Sequence, residues 1–210
     1  MAAAKKNGKT GKSDQRSATD KLLDTALALA AEVPWQQLSV SRIANEAGVP
    51  VGEALMTLPS RLHILRALMG RIDATVLASL EGDPLDGSTK DKLFDILMRR
   101  FDALADHRSA MGSISRSLSR DPVTTACLGG RFLKSMALSL QAAGVSSEGC
   151  SGSLKAKALA AIQLNAFRVW LSDEDPGLAQ TMKALDKGLS QAEKFAAMRR
   201  PSASEYPETA

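Results

Sequence analysis

LLDTALALAAEVPWQQLSVSRIANEAGVPVGEALMTLPSRLHIL, residues 22–65, holds a succession of helical patterns separated by turn signals. Leu22, Leu23, Ala26, Leu27, Leu29 and Ala30 recur at helical spacing and predict one buried face. Ser17 and Asp20 precede them as a capping-box-like start, with Asp in place of the usual Glu. Pro34 stops this helix, and Trp35 and Leu38 fall beneath the following loop as core residues. Ser39 is placed to cap a second helix that runs to Ala47, with Val40, Ile43, Ala44 and Ala47 facing inward. Gly48 follows as the residue that ends it. Pro50 opens a short third helix, to about Met56, where a missing N–H costs nothing. Pro59 and Ser60 open a long fourth helix with Leu62, Leu65, Leu68, Met69, Ile72 and Val76 inward.

The second and third helices have the length and punctuation of a helix-turn-helix, which lays a short helix in a DNA major groove. Arg42 and Arg61 are candidate phosphate clamps, and the hydroxyls of Ser39, Ser41 and Thr57 can donate to phosphate oxygens. The net charge of +4 is unevenly placed. In residues 1–20, Lys5, Lys6, Lys9, Lys12 and Arg16 outnumber Asp14 and Asp20. Residues 21–80 carry equal numbers of basic and acidic side chains. The basicity therefore sits in an N-terminal arm, and the docking segment is neutral. That weakens the electrostatic part of DNA affinity.

Residues 1–16 are expected to form a disordered basic arm, given their Lys, Gly, Ser and Asn content. Residues 17–80 form the helix-turn-helix head and linking helix. The turn-rich run at 81–89, E-G-D-P-L-D-G-S-T, separates it from a helical body at 81–198. In the body, Leu93, Phe94, Leu97, Met98 and Phe101 form one stripe, and Met111, Ile114 and Leu118 another. Asp121-Pro122 opens a helix ended by Gly144, with Gly129-Gly130-Arg131 as a packing notch. A loop at 145–153 leads into a helix at 154–171, and Asp175-Pro176 starts the last one, to about Met198. Residues 199–210 are expected to be a disordered tail. No period-2 alternation occurs, so the expected class is all-α.

An enzyme is not expected. His63 and His107 lack partner spacing, and no phosphate loop, dinucleotide fingerprint or nucleophile elbow occurs. Cys127 and Cys150 do not make a metal-ligand spacing, and neither a cofactor nor a metal is called for. No apolar run of about 18 residues is present, so no membrane span is expected and the chain reads as cytoplasmic. Phe94, Met98, Phe101, Met111, Met136, Phe167 and Trp170 are large and aromatic or flexible, the composition of a cavity for an apolar small molecule and also of an ordinary core.

The order of helix, helix-turn-helix, long linking helix and all-helical body resembles the TetR family of bacterial transcriptional regulators. The residues that carry the resemblance are the Leu22–Glu32 helix, Ser39-Val40, Ile43-Ala44, Ala47-Gly48-Val49, Gly52 and Pro59-Ser60-Arg61. It implies a homodimer, DNA bound as a palindromic operator by the N-terminal heads, and an effector pocket in the body. Pro50, Val51 and Gly52 stand where the family commonly has Ser-Lys-Gly, and Leu55, Met56 and Thr57 where it often has tyrosines around a polar residue. The chain also resembles, more distantly, the lipid-binding accessory protein of ubiquinone biosynthesis, which keeps the fold without the DNA function. Under that alternative the seam Leu178, Met182, Leu185, Leu189, Ala192 and Ala196 rests on a membrane surface; the expected reading is that it packs on its own domain or on a second copy, as most amphipathic helices do.

Overall fold

A computed structural model describes residues 10–198. Among the described residues the secondary structure is helical throughout: α1 (Thr10–Glu32), α2 (Val40–Glu46), α3 (Val51–Thr57), α4 (Arg61–Gly82), α5 (Thr89–Asp102), α6 (Arg108–Leu118), α7 (Pro122–Ala142), α8 (Gly149–Ser172) and α9 (Ala179–Met198), with 3-10 turns at Trp35–Gln37 and Ala105–His107. The all-α expectation holds. The start of the arm at residues 1–9 and the tail at 199–210 lie outside the described residues. The chain forms two compact units. One comprises the residues up to Gly82 with Arg100–Ser135, the other Asp83–Arg99 with the residues from Met136.

In the first unit the inward face of α1 is as its spacing predicts: Leu22, Leu23, Ala26, Leu27 and Ala30 are buried. Each large side chain so buried contributes about 1.5–3 kcal/mol. The helix begins at Thr10, ahead of the expected start at Ser17. Residues 10–16 of the expected disordered arm are therefore helical, and Ser17 lies inside the helix rather than capping it; extending a nucleated helix adds a hydrogen bond for each residue fixed. Trp35 is buried, and its backbone N–H donates to the Ser113 hydroxyl at 3.2 Å. Arg61 Nη1 donates to the carbonyls of Trp35 at 3.1 Å and Gln36 at 2.6 Å. The 3-10 turn is thus closed by the first residue of α4.

A buried ionic cluster holds α4 to its neighbours in the same unit. The Asp73 carboxylate accepts from Arg100 Nη1 at 2.7 Å, from Arg131 Nη2 at 2.6 Å and from the Ser135 hydroxyl. Asp73 and Arg100 are both buried. Burial pushes the Asp73 carboxyl up, but the Ser135 hydroxyl and the two guanidiniums outweigh it and hold the carboxyl below its ordinary value. Gly129 and Gly130 are not the packing notch expected of them: a Cβ at either position would meet nothing within 4 Å. The next residue, Arg131, makes the contact. Asp121 caps α7 as expected, accepting from the Thr124 N–H at 2.9 Å.

In the second unit α8 and α9 pack together, and Leu159, Ala160 and Trp170 of α8 and Leu185 and Leu189 of α9 are buried. A Cβ on Gly188 would stand 2.8 Å from Ile162 Cγ2, so the glycine allows the close approach. Two helix starts differ from expectation. The stretch at 149–153 reads as loop from its Gly and Ser, yet α8 begins at Gly149. Gly152 is buried there, with no room for a Cβ beside the Ser147 backbone. α9 begins at Ala179 and not at Pro176. Asp175 accepts from the N–H groups of Gly177 and Ala179 in a preceding turn, where Leu178 takes a φ of 53°. The cap comes from fully buried Asp173, whose Oδ2 accepts from the Thr181 N–H and hydroxyl, each at 2.8 Å.

The apolar seam of α9 packs within its own unit at its centre, which favours the ordinary burial of an amphipathic helix over the membrane-resting alternative. Leu185 is 0% exposed and Leu189 4%, so its centre is core, and Leu178 precedes the helix. Spacing identifies an apolar seam but not what covers it.

Asp73→Asn should lower the folding free energy by about 3 kcal/mol near neutral pH, because the buried Arg100 and the half-buried Arg131 lose their counter-charge. A carboxyl depressed in the folded state contributes stability that is complete above its unfolded value, 3.8, and is lost as pH falls through the lower folded value. The deficit of the variant in urea melts should therefore shrink on acidification, and a deficit independent of pH down to the acid limb contradicts it. Arg61→Ala should cost about 1.5–3 kcal/mol through the lost charged hydrogen bonds to the 3-10 turn. Arg42→Ala, on an exposed position, should stay within about 0.5 kcal/mol. Equal melting midpoints for the two variants contradict the assigned difference.

Candidate nucleic-acid interface

α2 starts where Ser39 ends an extended segment. The Ser39 Oγ accepts from the Arg42 N–H at 3.1 Å, a cap of the kind the sequence predicts. The helix closes at Ala47, and Gly48 adopts a φ of 64°, the left-handed conformation that makes glycine the suitable residue there. Val49 is buried, and its N–H returns to the Ala44 carbonyl at 3.0 Å. Pro50 stands just before α3 as its N-cap, in extended-type backbone, rather than as its first helical residue. α2 and α3 lie against each other and against α1. Ile43, Ala44 and Ala54 are each 0% exposed at this junction.

The outer face of the pair is open. Ser39, Ser41, Arg42, Pro50 and Gly52 are exposed, and Val51, Thr57 and Arg61 are partly so. Their chemistry differs from what residue type alone suggests. The Thr57 hydroxyl donates to the Glu53 carbonyl at 2.9 Å, within its own helix. Arg61 is engaged with the carbonyls of Trp35 and Gln36 and acts first as a structural clamp. Arg42 stands exposed at the start of α2, beside the hydroxyl of Ser41. The Ser60 hydroxyl and His63 Nδ1 are 2.8 Å apart at the start of α4. On α3 the exposed side chains are Glu53, Leu55 and Met56, with Met56 88% exposed.

The residues considered for an effector cavity divide between the two units. Phe101 and Met111 belong to the first; Phe94, Met98, Met136, Phe167 and Trp170 belong to the second. Phe101, Met136 and Trp170 are fully buried, and the other four partly. Phe167 and Trp170 stack with ring centroids 5.7 Å apart. Sequence reasoning missed Gln163 on the same helix. It is buried, and its side-chain Oε1 has no hydrogen-bond partner. Its position, four residues before Phe167, carried no signal, because a glutamine in a helical pattern reads as a surface residue. A groove of about 650 Å³ on the outer side of α8 and α9 is lined by Asn165, Val169, Lys183, Lys187 and Gly188, among others. Among the described residues no helix is long and apolar enough to cross a membrane.

No protein-family model matches the chain. It is 24% identical over 123 residues to the HTH-type transcriptional repressor KstR of Mycolicibacterium smegmatis, a match covering 59% of this chain and 54% of that repressor. It is 23% identical over 115 residues to KstR of Mycobacterium tuberculosis, covering 55% and 46%. The chain thus spans about half the length of these repressors. Among solved structures, a TetR transcriptional regulator from Nitrosomonas europaea superposes with a TM-score of 0.68 at 23% identity, over 85% of this chain and 99% of that one. A TetR transcriptional regulator from a Rhodococcus species gives 0.64 at 20% identity, over 85% and 96%. The chain has the fold of the TetR transcriptional regulators.

Proposed function

We propose that this chain is a homodimeric, cytoplasmic DNA-binding regulator of transcription that answers to an apolar small molecule, and that it is not an enzyme. In this reading residues 17–80 are the head that docks on a palindromic operator, and residues 81–198 bind the effector and the second copy. The observation that carries it is the capped α2–α3 pair. Its inner side is anchored by three residues with no solvent exposure, and its outer side is left open. A rigid short helix with a free face is what insertion into a major groove requires. The likeness to KstR repressors and TetR regulators points the same way.

Arg42, Ser39 and Ser41 are the groups assigned to phosphates, with Pro50, Val51 and Gly52 leading α3 toward the groove. Arg61 positions the head through the 3-10 turn, and Thr57 closes α3. For the effector, Phe94, Met98, Met136, Phe167 and Trp170 of the second unit supply apolar surface. The unsatisfied Gln163 Oε1 offers an acceptor to a ligand donor. For the second copy, α8 and α9 present Leu154, Leu164 and Met182, each at least 40% exposed, on helices whose other sides are buried. Two such helices from each subunit can close a four-helix interface.

Genomic fragments retained by the purified full chain test the proposal. Retention of fragments sharing one inverted repeat is expected, together with a light-scattering mass of a dimer at micromolar concentration. Arg42→Ala should weaken retention of all sequences alike, because phosphate contacts position without specifying. A monomer that enriches no sequence at low salt overturns the proposal.

A further inference from the structure

The exposed face of α3 offers no side-chain hydrogen-bond donor. Met56 lies near its centre, Gly52 beside it one turn earlier, and Glu53 and Leu55 flank them at helical spacing. The hydroxyl of Thr57 is committed to the Glu53 carbonyl. The forked donor contacts that select guanine, and the amide contacts that select adenine, have no residue here to make them.

Two base features in a major groove suit what remains. The thymine C5-methyl is an apolar knob that Leu55 and Met56 can cover. The cytosine N4 amino group is a donor that a carboxylate can accept from. Adenine also carries an amino group, but its N7 acceptor lies beside it and repels a carboxylate.

Gly52 adds an independent observation. A Cβ there would meet nothing within 4 Å, and its φ is not in the left-handed region. Nothing inside the protein calls for glycine, which is a destabilising choice in a helix. A surface approaching α3 from outside more closely than a Cβ permits does call for it.

Resting on the DNA-binding reading above, we propose that α3 specifies its operator through thymine methyl groups, covered by Met56 and Leu55, and a cytosine amino group bound by Glu53. The half-site is therefore pyrimidine-rich on the strand that α3 faces. Gly52 lets the helix backbone sink to the depth at which these side chains reach the base edges.

The test uses the full chain and the duplex it selects from a random pool. Each thymine of the selected site is replaced in turn by deoxyuridine, which deletes only the methyl. At one or two positions per half-site affinity should fall about fourfold per methyl. Met56→Ala should abolish that sensitivity, and the 88% exposure of Met56 leaves folding out of the comparison. Glu53→Gln should shift the preference at its position from cytosine toward adenine. Gly52→Ala should raise the melting temperature and weaken binding together. A reproducible site in which no deoxyuridine changes affinity by as much as twofold overturns this proposal and leaves the DNA-binding reading standing. Enrichment of no site overturns both.

Discussion

The fit of α3 into the head depends on how closely two short helices can approach α1, and two alanines set that distance. Ala44 and Ala54 have no exposed surface and sit where α2, α3 and α1 meet. A longer side chain at either position would have no space to occupy, since packed interiors do not yield by a methylene without strain. With α3 only seven residues long, its intrinsic helical stability is negligible, and its position comes from this packing. The face it presents outward, Gly52, Glu53 and Met56, is therefore decided by what it buries on the other side.

The head differs in its electrostatics from a typical nucleic-acid-binding surface. Its basic and acidic residues balance over 21–80, and one of its arginines, Arg61, is turned to backbone carbonyls. Another, Arg71, pairs with Asp24 at 2.5 Å. Few cations then face outward to release counterions from DNA. Under the proposed DNA-binding reading, such a surface gains little affinity from phosphates in general and more from base edges.

Much of the head is legible in the sequence because its signals are local. Ser39, Gly48, Pro50 and Pro59 act on the residues beside them, and the structure places helix ends at or next to each. The parts that were not legible depend on residues far apart in the chain. Asp73 lies between Ile72 and Val76 in an otherwise apolar stripe, and its partners Arg100, Arg131 and Ser135 come from other helices. Pro176 is a strong local start signal, yet α9 begins at Ala179. The decisive contact, Asp173 to Thr181, crosses the turn from a residue with no exposure at all. Gly and Ser at 149–153 read as loop, and only packing against Ser147 shows why a glycine belongs inside a helix there. For the candidate site, residue type picks out groups on an open surface but not their commitments: the Thr57 hydroxyl and the Arg61 guanidinium are bonded within the protein.

Amide hydrogen exchange on the full chain, with and without a duplex that it retains, tests most directly that the α2–α3 pair is the docking surface. Slowed exchange is expected in residues 39–61, greatest in α3, with no change on the outer side of α9. Unchanged exchange throughout 39–61, or slowing confined to α8 and α9, would contradict the account.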